Sequence, residues 1–227
     1  MKTQLTKSLC LSFILCIVAT GMTQTQAVFI QDINGLNVVK QGEIWLSHEH
    51  ILVDFIGADS INSDSWNKSE VVKEVLPFLL ELQGFDVKYF VEATPQFLGR
   101  DVRLLKELAD KTGLKIITNT GLYGAQKNKF IPDYAGNSSA EELAEQWVEE
   151  FENGIDGTVI KPGFIKISVD NTDSLSPMHR KLVKAAALCH LKSGLTIASH
   201  TGKSAALWPQ LKILSEQGVA ANAFIWV

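Results

Sequence analysis

The chain has 227 residues, 46% of them hydrophobic, enough to bury a substantial single core. A formal net charge of -4 excludes the basic footprint of a nucleic-acid binder and the polybasic patch of an anionic-membrane binder. No low-complexity tract or short solenoid repeat interrupts the sequence.

Residues 1–27 stand apart from the rest. Lys2 and Lys7 form a positive start, residues 9–19 an apolar stretch, and Thr25-Gln26-Ala27 a small-residue cleavage site. The apolar stretch is shorter than the roughly 20 residues that span a bilayer. The expectation is a cleaved secretory signal, with an uncleaved N-terminal anchor as the alternative. The mature protein is then secreted or periplasmic and free of the membrane. A lipid attachment at Cys16 is disfavoured because Leu15 precedes it. Cys10 and Cys16 fall within this leader, so Cys189 remains alone and no internal disulfide forms. Within its apolar helical run, Cys189 reads as a buried, inert thiol.

From residue 28 onward the pattern is α/β. Two short strands, 28–32 and 36–39, flank Asn34-Gly35, a hairpin signal. Six further strands are expected at 43–47, 87–93, 115–119, 163–168, 195–199 and 223–227. Amphipathic helices separate them. One covers 70–83 and should kink at Pro77. Asp101 starts another that Gly113 ends, and Ser139 with Glu142 makes a capping box for the next. Ser176-Pro177 opens a helix that stops at Gly194, and a last helix runs from near Pro209 to Gly218. Repeated βα units suit either an open doubly wound sheet or a (β/α)8 barrel. No Gly-x-Gly-x-x-Gly follows the first of the six strands, which weakens the dinucleotide-binding version.

The chemically interesting residues fall at the C-terminal ends of strands, where barrel enzymes keep their active sites. His48 and His50 close the first strand, two residues apart and so on one face, with α-carbons roughly 6.6–6.8 Å apart. Two imidazoles so placed reach one metal ion or are ordinary strand-end polar residues; Glu49 points the other way. His200 closes the fifth strand within Ser199-His200-Thr201-Gly202. His179 and His190 lie on the preceding helix and read as solvated or helix-packed. Lys166, inside Gly163-Phe164-Ile165-Lys166-Ile167-Ser168, faces a large desolvation cost as an ammonium. It either snorkels to the barrel mouth, pairs with an acidic neighbour such as Asp170, or is neutralised or modified. An ammonium has no acceptor for a metal, whereas a carbamate formed with carbon dioxide has two oxygens that can bridge two cations.

Taken together, the motifs resemble the phosphotriesterase family of the amidohydrolase superfamily. They are Leu46-Ser47-His48-Glu49-His50, Leu98-Gly99-Arg100-Asp101, Thr120-Gly121-Leu122-Tyr123, Glu152-Asn153-Gly154-Ile155-Asp156-Gly157-Thr158, Gly163-Phe164-Ile165-Lys166 and Ser199-His200-Thr201-Gly202. The resemblance implies a (β/α)8 TIM barrel with two divalent ions, zinc as a rule, at its C-terminal mouth. It implies that His48 and His50 bind the buried ion and His200 the exposed one, and that Lys166, carrying a carbon dioxide-derived carbamate, bridges both. The implied reaction is hydrolysis of a lactone, carboxylic ester or phosphotriester by a metal-bridging hydroxide. Small-molecule esters are then the partners, and homodimers are common in the family. Tyr123, just beyond the third strand, is a candidate to line the substrate pocket.

Two family features have no counterpart here, a metal-binding histidine after the sixth strand and an aspartate after the eighth. A typical barrel of this kind has about 250 residues. The expectation is therefore one incomplete hydrolase barrel over 28–227, covering about strands one to six behind an N-terminal hairpin, with the catalytic aspartate outside it. The alternative is an inactive remnant that binds metal weakly or not at all.

Overall fold

The computed structural model describes residues 27–62 and 64–227. The leader expected over 1–27 therefore lies, but for Ala27, outside the described residues. Among those described, no helix is long and apolar enough to cross a membrane.

The hairpin forms as β1 (Phe29–Asp32) and β2 (Gly35–Val38), paired antiparallel with Asp32 opposite Gly35. Its turn is Ile33-Asn34, one residue earlier than the Asn34-Gly35 signal implies. The cause is tertiary. Ile33 is buried and its N–H donates to Ile116 O at 2.8 Å, while the Asp32 carboxylate accepts from Asn34 N–H and the Asn37 amide, both at 2.7 Å.

All the remaining strands are parallel. They are β3 (Ile44–Glu49), β4 (Val87–Glu92), β5 (Lys115–Ile117), β6 (Asn119–Thr120), β7 (Phe164–Ser168), β8 (Thr196–His200) and β9 (Phe224–Trp226). They are ordered β3-β4-β5 and β6-β7-β8-β9. The single third strand expected over 115–119 is thus divided at Thr118. Its first half pairs with β4 and its second with β7, and the Thr118 carbonyl accepts from Gly163 N–H at 2.8 Å. One segment cannot keep a straight ladder with both neighbours while the wall curves, so the ladder changes sides there. This is the α/β architecture of a (β/α)8 wall over six strand positions.

Among the described residues, six α-helices, α1 (Lys68–Glu81), α2 (Val102–Thr112), α3 (Asp133–Asn137), α4 (Ala140–Asn153), α5 (Pro177–Ser193) and α6 (Ser204–Glu216), accompany the strands. The Asp101 carboxylate caps α2 and Gly113, left-handed at φ +69°, ends it. Ser139 and Glu142 make the expected capping box on α4, and Ser176-Pro177 and Gly194 bound α5. These caps satisfy helix-end groups that burial would otherwise leave unpaired. Helix α1 runs through Pro77 as one element, capped by the Asn67 side chain. Helix α6 begins at Ser204, five residues before Pro209. The proline lies inside it, and the buried Ala206 and Gln210 anchor this early turn.

Two apolar clusters fill the space between strands and helices, one around Leu143, Trp147 and Ile165, the other around Leu105, Leu108 and Ile116. A third, with Tyr89, Ile117, Phe164 and Ala198, lies on the opposite strand face. A register shift between Leu46 and Glu49 interrupts β3. Trp45, Ser47 and His48 consequently all line the inner cavity, although strict alternation from Trp45 would turn His48 outward.

Candidate active site

His48 ends β3 and His50 follows it; Lys166 is the third residue of β7 and His200 the last of β8. The four side chains line one cavity of about 230 Å³, together with Phe55 and Tyr123. Residues up to 152 positions apart in the chain meet because parallel strands deliver their C-terminal ends to one side. The His48 and His50 rings stand 5.2 Å apart, centroid to centroid.

Lys166 is 1% exposed. It neither snorkels outward nor pairs with Asp170. That carboxylate instead accepts from Lys127 N–H at 3.2 Å and lies 3.8 Å from His179 Nε2. The Lys166 Nζ sits 3.3 Å from His48 Nε2. Burial pushes the amine down to about 8, against the opposing pull of the Glu92 charge. A lysine so placed has a substantial neutral fraction near pH 8, and a neutral amine is nucleophilic.

The imidazoles are shifted in the matching direction. Burial, then the Lys166 charge, then His50 and His200 drive His48 down to about 4. Burial and the Lys166 charge also hold His50 and His200 below the usual imidazole range. All three rings are therefore neutral at pH 7 and keep a lone pair, the form that ligates metals. Among the described residues, no group of three or more His, Cys, Asp or Glu side chains gathers closely enough to hold one ion. The polar set of this cavity is His48, His50, Lys166 and His200, with the His48 and His50 rings side by side.

A supporting layer lies behind these side chains, and sequence reasoning missed it. His50 Nδ1 is 2.9 Å from Thr94 Oγ1, and the Thr94 hydroxyl donates to Glu92 Oε1. Glu92 is fully buried, and burial pushes its carboxyl up to about 7 despite donors from Thr94 and Ile51 and the Arg100 charge. Asn119 ties its amide to the Glu92 and Thr94 carbonyls at 3.0 and 3.1 Å. Arg100 clamps Glu150 with two hydrogen bonds and gives another to Asn119 O. The available signal was Glu92 itself, an acid at the end of the apolar run Val87–Glu92.

Tyr123 lies with its ring 5.6 Å from that of His200 and 5.8 Å from that of Phe130. Burial raises its phenol, and the Asp170 charge adds to this. His179 and His190 are helix-packed as expected, His179 Nε2 on Gly124 O and His190 Nδ1 on Leu195 O, each at 2.9 Å. Cys189 is fully buried, which raises its thiol to about 11.

A parallel βα wall with a histidine- and lysine-lined cavity at the C-terminal strand ends belongs to the class of barrel enzymes. Residues 30–224 match the model of the Phosphotriesterase family, and the chain belongs to that family. It is 30% identical over 174 residues to the "Phosphotriesterase homology protein" of Escherichia coli, covering 77% of this chain and 58% of that protein. Similarity to the "Aryldialkylphosphatase" of Saccharolobus solfataricus is 29% over 176 residues, 77% of this chain and 54% of that one. Among solved structures, the Escherichia coli phosphotriesterase homology protein, complexed with phosphate in its active site, superposes with a TM-score of 0.70 at 28% identity. That match covers 83% of this chain and 63% of the other. The chain thus spans less than two thirds of the length of each.

Proposed function

We propose that this chain carries part of the active site of a hydrolase for ester bonds in small molecules such as lactones, carboxylic esters or phosphotriesters. The observation that carries the reading is Lys166. A buried amine, depressed by burial and 3.3 Å from one neutral imidazole, is one of four nitrogen side chains on one cavity.

The residues fit a pair of divalent cations, zinc by preference. Neutral imidazoles are zinc ligands, and a buried amine without a carboxylate partner lends itself to carbamylation. His48 and His50 would hold one ion and His200 the other, as the family resemblance implies. In the modification, the neutral Nζ attacks carbon dioxide, an N–C bond forms, one C=O pair moves onto oxygen, and a proton leaves nitrogen for solvent. Lys166 then offers two anionic oxygens in place of an ammonium. When bound, such cations supply a water ionised near neutral pH and a charge that polarises the ester oxygen.

The chain's own side chains do the rest. The buried wall of β7 holds Lys166 in one place, so the ligand position is set before substrate arrives. Phe55 and Tyr123 present apolar surface to the substrate body and keep water from it. The N-terminal leader supports export to a secreted or periplasmic location. Assembly as a homodimer is part of the same proposal. A second reading, weak or absent metal binding, draws on the lack, among the described residues, of any cluster of three His, Cys, Asp or Glu ligands.

Metal content after incubation with zinc and bicarbonate tests the proposal. The expected result for the full-length form is about two zinc ions per chain, as in two-metal hydrolases, with clear loss in Lys166→Ala. A chain that retains no zinc would remove the metal reading. Retained zinc with no hydrolysis of a lactone, carboxylic ester and phosphotriester panel would remove the substrate reading.

A further inference from the structure

The His50 ring touches the supporting layer through one nitrogen. Its Nδ1 is 2.9 Å from Thr94 Oγ1, and the ring borders the cavity. Which nitrogen carries the proton depends on which way the Thr94 hydroxyl points, since a hydroxyl has a single hydrogen to give.

Glu92 decides that direction. The carboxyl is completely buried, and donors surround it. Ile51 N–H reaches Oε1 at 3.4 Å, Thr94 N–H reaches Oε2 at 3.3 Å, and the Thr94 hydroxyl is directed at Oε1. Backbone N–H groups only donate, and in the ionised form, which prevails above the value of about 7 to which burial raises Glu92, both carboxyl oxygens are acceptors only. The Thr94 hydroxyl then spends its hydrogen on Glu92 and turns a lone pair toward His50. Only a protonated Nδ1 can satisfy that lone pair. Asn119 locks the geometry by donating to the carbonyls of both Glu92 and Thr94.

We propose that Thr94, oriented by Glu92, is a positioning residue that fixes His50 as its Nδ1–H tautomer and turns the Nε2 lone pair to the cavity. The value of this to a metal site rests on the reading given above; the tautomer itself does not. A ligating histidine generally depends on such a partner at its other nitrogen, and loss of the partner typically weakens metal binding roughly 10- to 100-fold.

The test is long-range proton–nitrogen NMR of the histidine rings in the metal-free full chain at pH 8, with His50 assigned by its loss in His50→Gln. Wild type and Thr94→Ser should both show protonated Nδ1 and a free Nε2. Thr94→Val, of the same shape but without the hydroxyl, should show Nε2–H or a mixture, with its helical circular dichroism unchanged. Zinc affinity by chelator competition should fall roughly 10- to 100-fold in Thr94→Val and return in Thr94→Ser. Protonated Nε2 in wild type would overturn the proposal, because the relay would then run from Glu92 toward His50. An unchanged tautomer in folded Thr94→Val would also overturn it. If Thr94→Val fails to fold, wild type and Thr94→Ser decide between the same two results. Correct tautomers with no zinc bound in any form would leave the relay standing and remove the metal reading alone.

Discussion

Gly121 lies against the backbone of Lys166: a Cβ at residue 121 would stand 2.1 Å from the Lys166 carbonyl oxygen. Its φ of +113° is also a region closed to other residues. The contact lies where β6 meets β7, and it sets how closely the third strand position approaches the strand that bears Lys166. Gly121→Ala should therefore destabilise the chain by about 3 kcal/mol or more, strain and overpacking acting together. Urea unfolding measures this. A variant as stable as wild type would show that the two strands have slack.

Arg100 is the second structural hinge of the site. Its guanidinium is wholly buried, bidentate to Glu150 at 2.6 and 3.0 Å and bonded to Asn119 O. Removing one member of such a pair leaves a desolvated charge behind, so Arg100→Met should cost about 3 kcal/mol. Arg100→Met/Glu150→Leu should recover part of that loss, because Glu150, the carboxylate that Arg100 clamps, goes with it. If the double variant is less stable than the single one, the pairing account fails.

Asp101 gives a pH-dependent contribution of known sign. Burial pushes its carboxyl up, but the Lys68 ammonium at 2.9 Å, the Leu104 N–H and the Trp66 indole outweigh that and leave it below its ordinary value of 3.8. A folded carboxyl that titrates below its unfolded value adds stability fully above the unfolded pKa. That contribution is lost as pH falls through the folded pKa. Asp101→Asn keeps a capping side chain but not the charge. Its deficit against wild type should be constant from pH 7 to pH 5 and shrink below about pH 4. Thermal melts across this range check it, and a deficit that grows on acidification would reverse the sign. Asp101→Ala should lose about 1 kcal/mol more at pH 7 from the missing cap.

Cys189 should be silent to thiol reagents in the native chain. Its sulfur is buried and its thiol is pushed up to about 11, so thiolate is scarce at pH 8. Peptide mass spectrometry after iodoacetamide treatment should find residue 189 unlabelled natively and labelled in urea. Native labelling at the rate of an exposed cysteine would contradict the packing of α5.

Much of this molecule was legible in local sequence. Asp101 with Gly113, Ser139 with Glu142, and Ser176-Pro177 with Gly194 bound three helices as expected, because caps act within one turn of the chain. His48, His50 and His200 were legible as polar residues at the ends of apolar strands, and Lys166 as a charged residue inside one. Where distant segments compete, local reading erred. Asn34-Gly35 signals a turn, but burial of Ile33 on Ile116 moves it back one residue. Residues 115–119 form one β-prone run, yet two neighbours claim its two halves. Pro209 reads as a first-turn proline, whereas packing of Ala206 and Gln210 extends α6 ahead of it.

By itself, the sequence determined the order of strands and helices, the caps between them, and the position of three histidines at strand ends and of Lys166 within a strand. Those depend on periodicity and on contacts within a few residues. Only the tertiary structure decided that the four share one cavity, that Lys166 faces His48 rather than Asp170, and that Glu92 and Thr94 stand behind His50. These relations join segments up to 152 residues apart. Their hydrogen bonds and pKa shifts exist only once the parallel strands have curved together and removed the water between them.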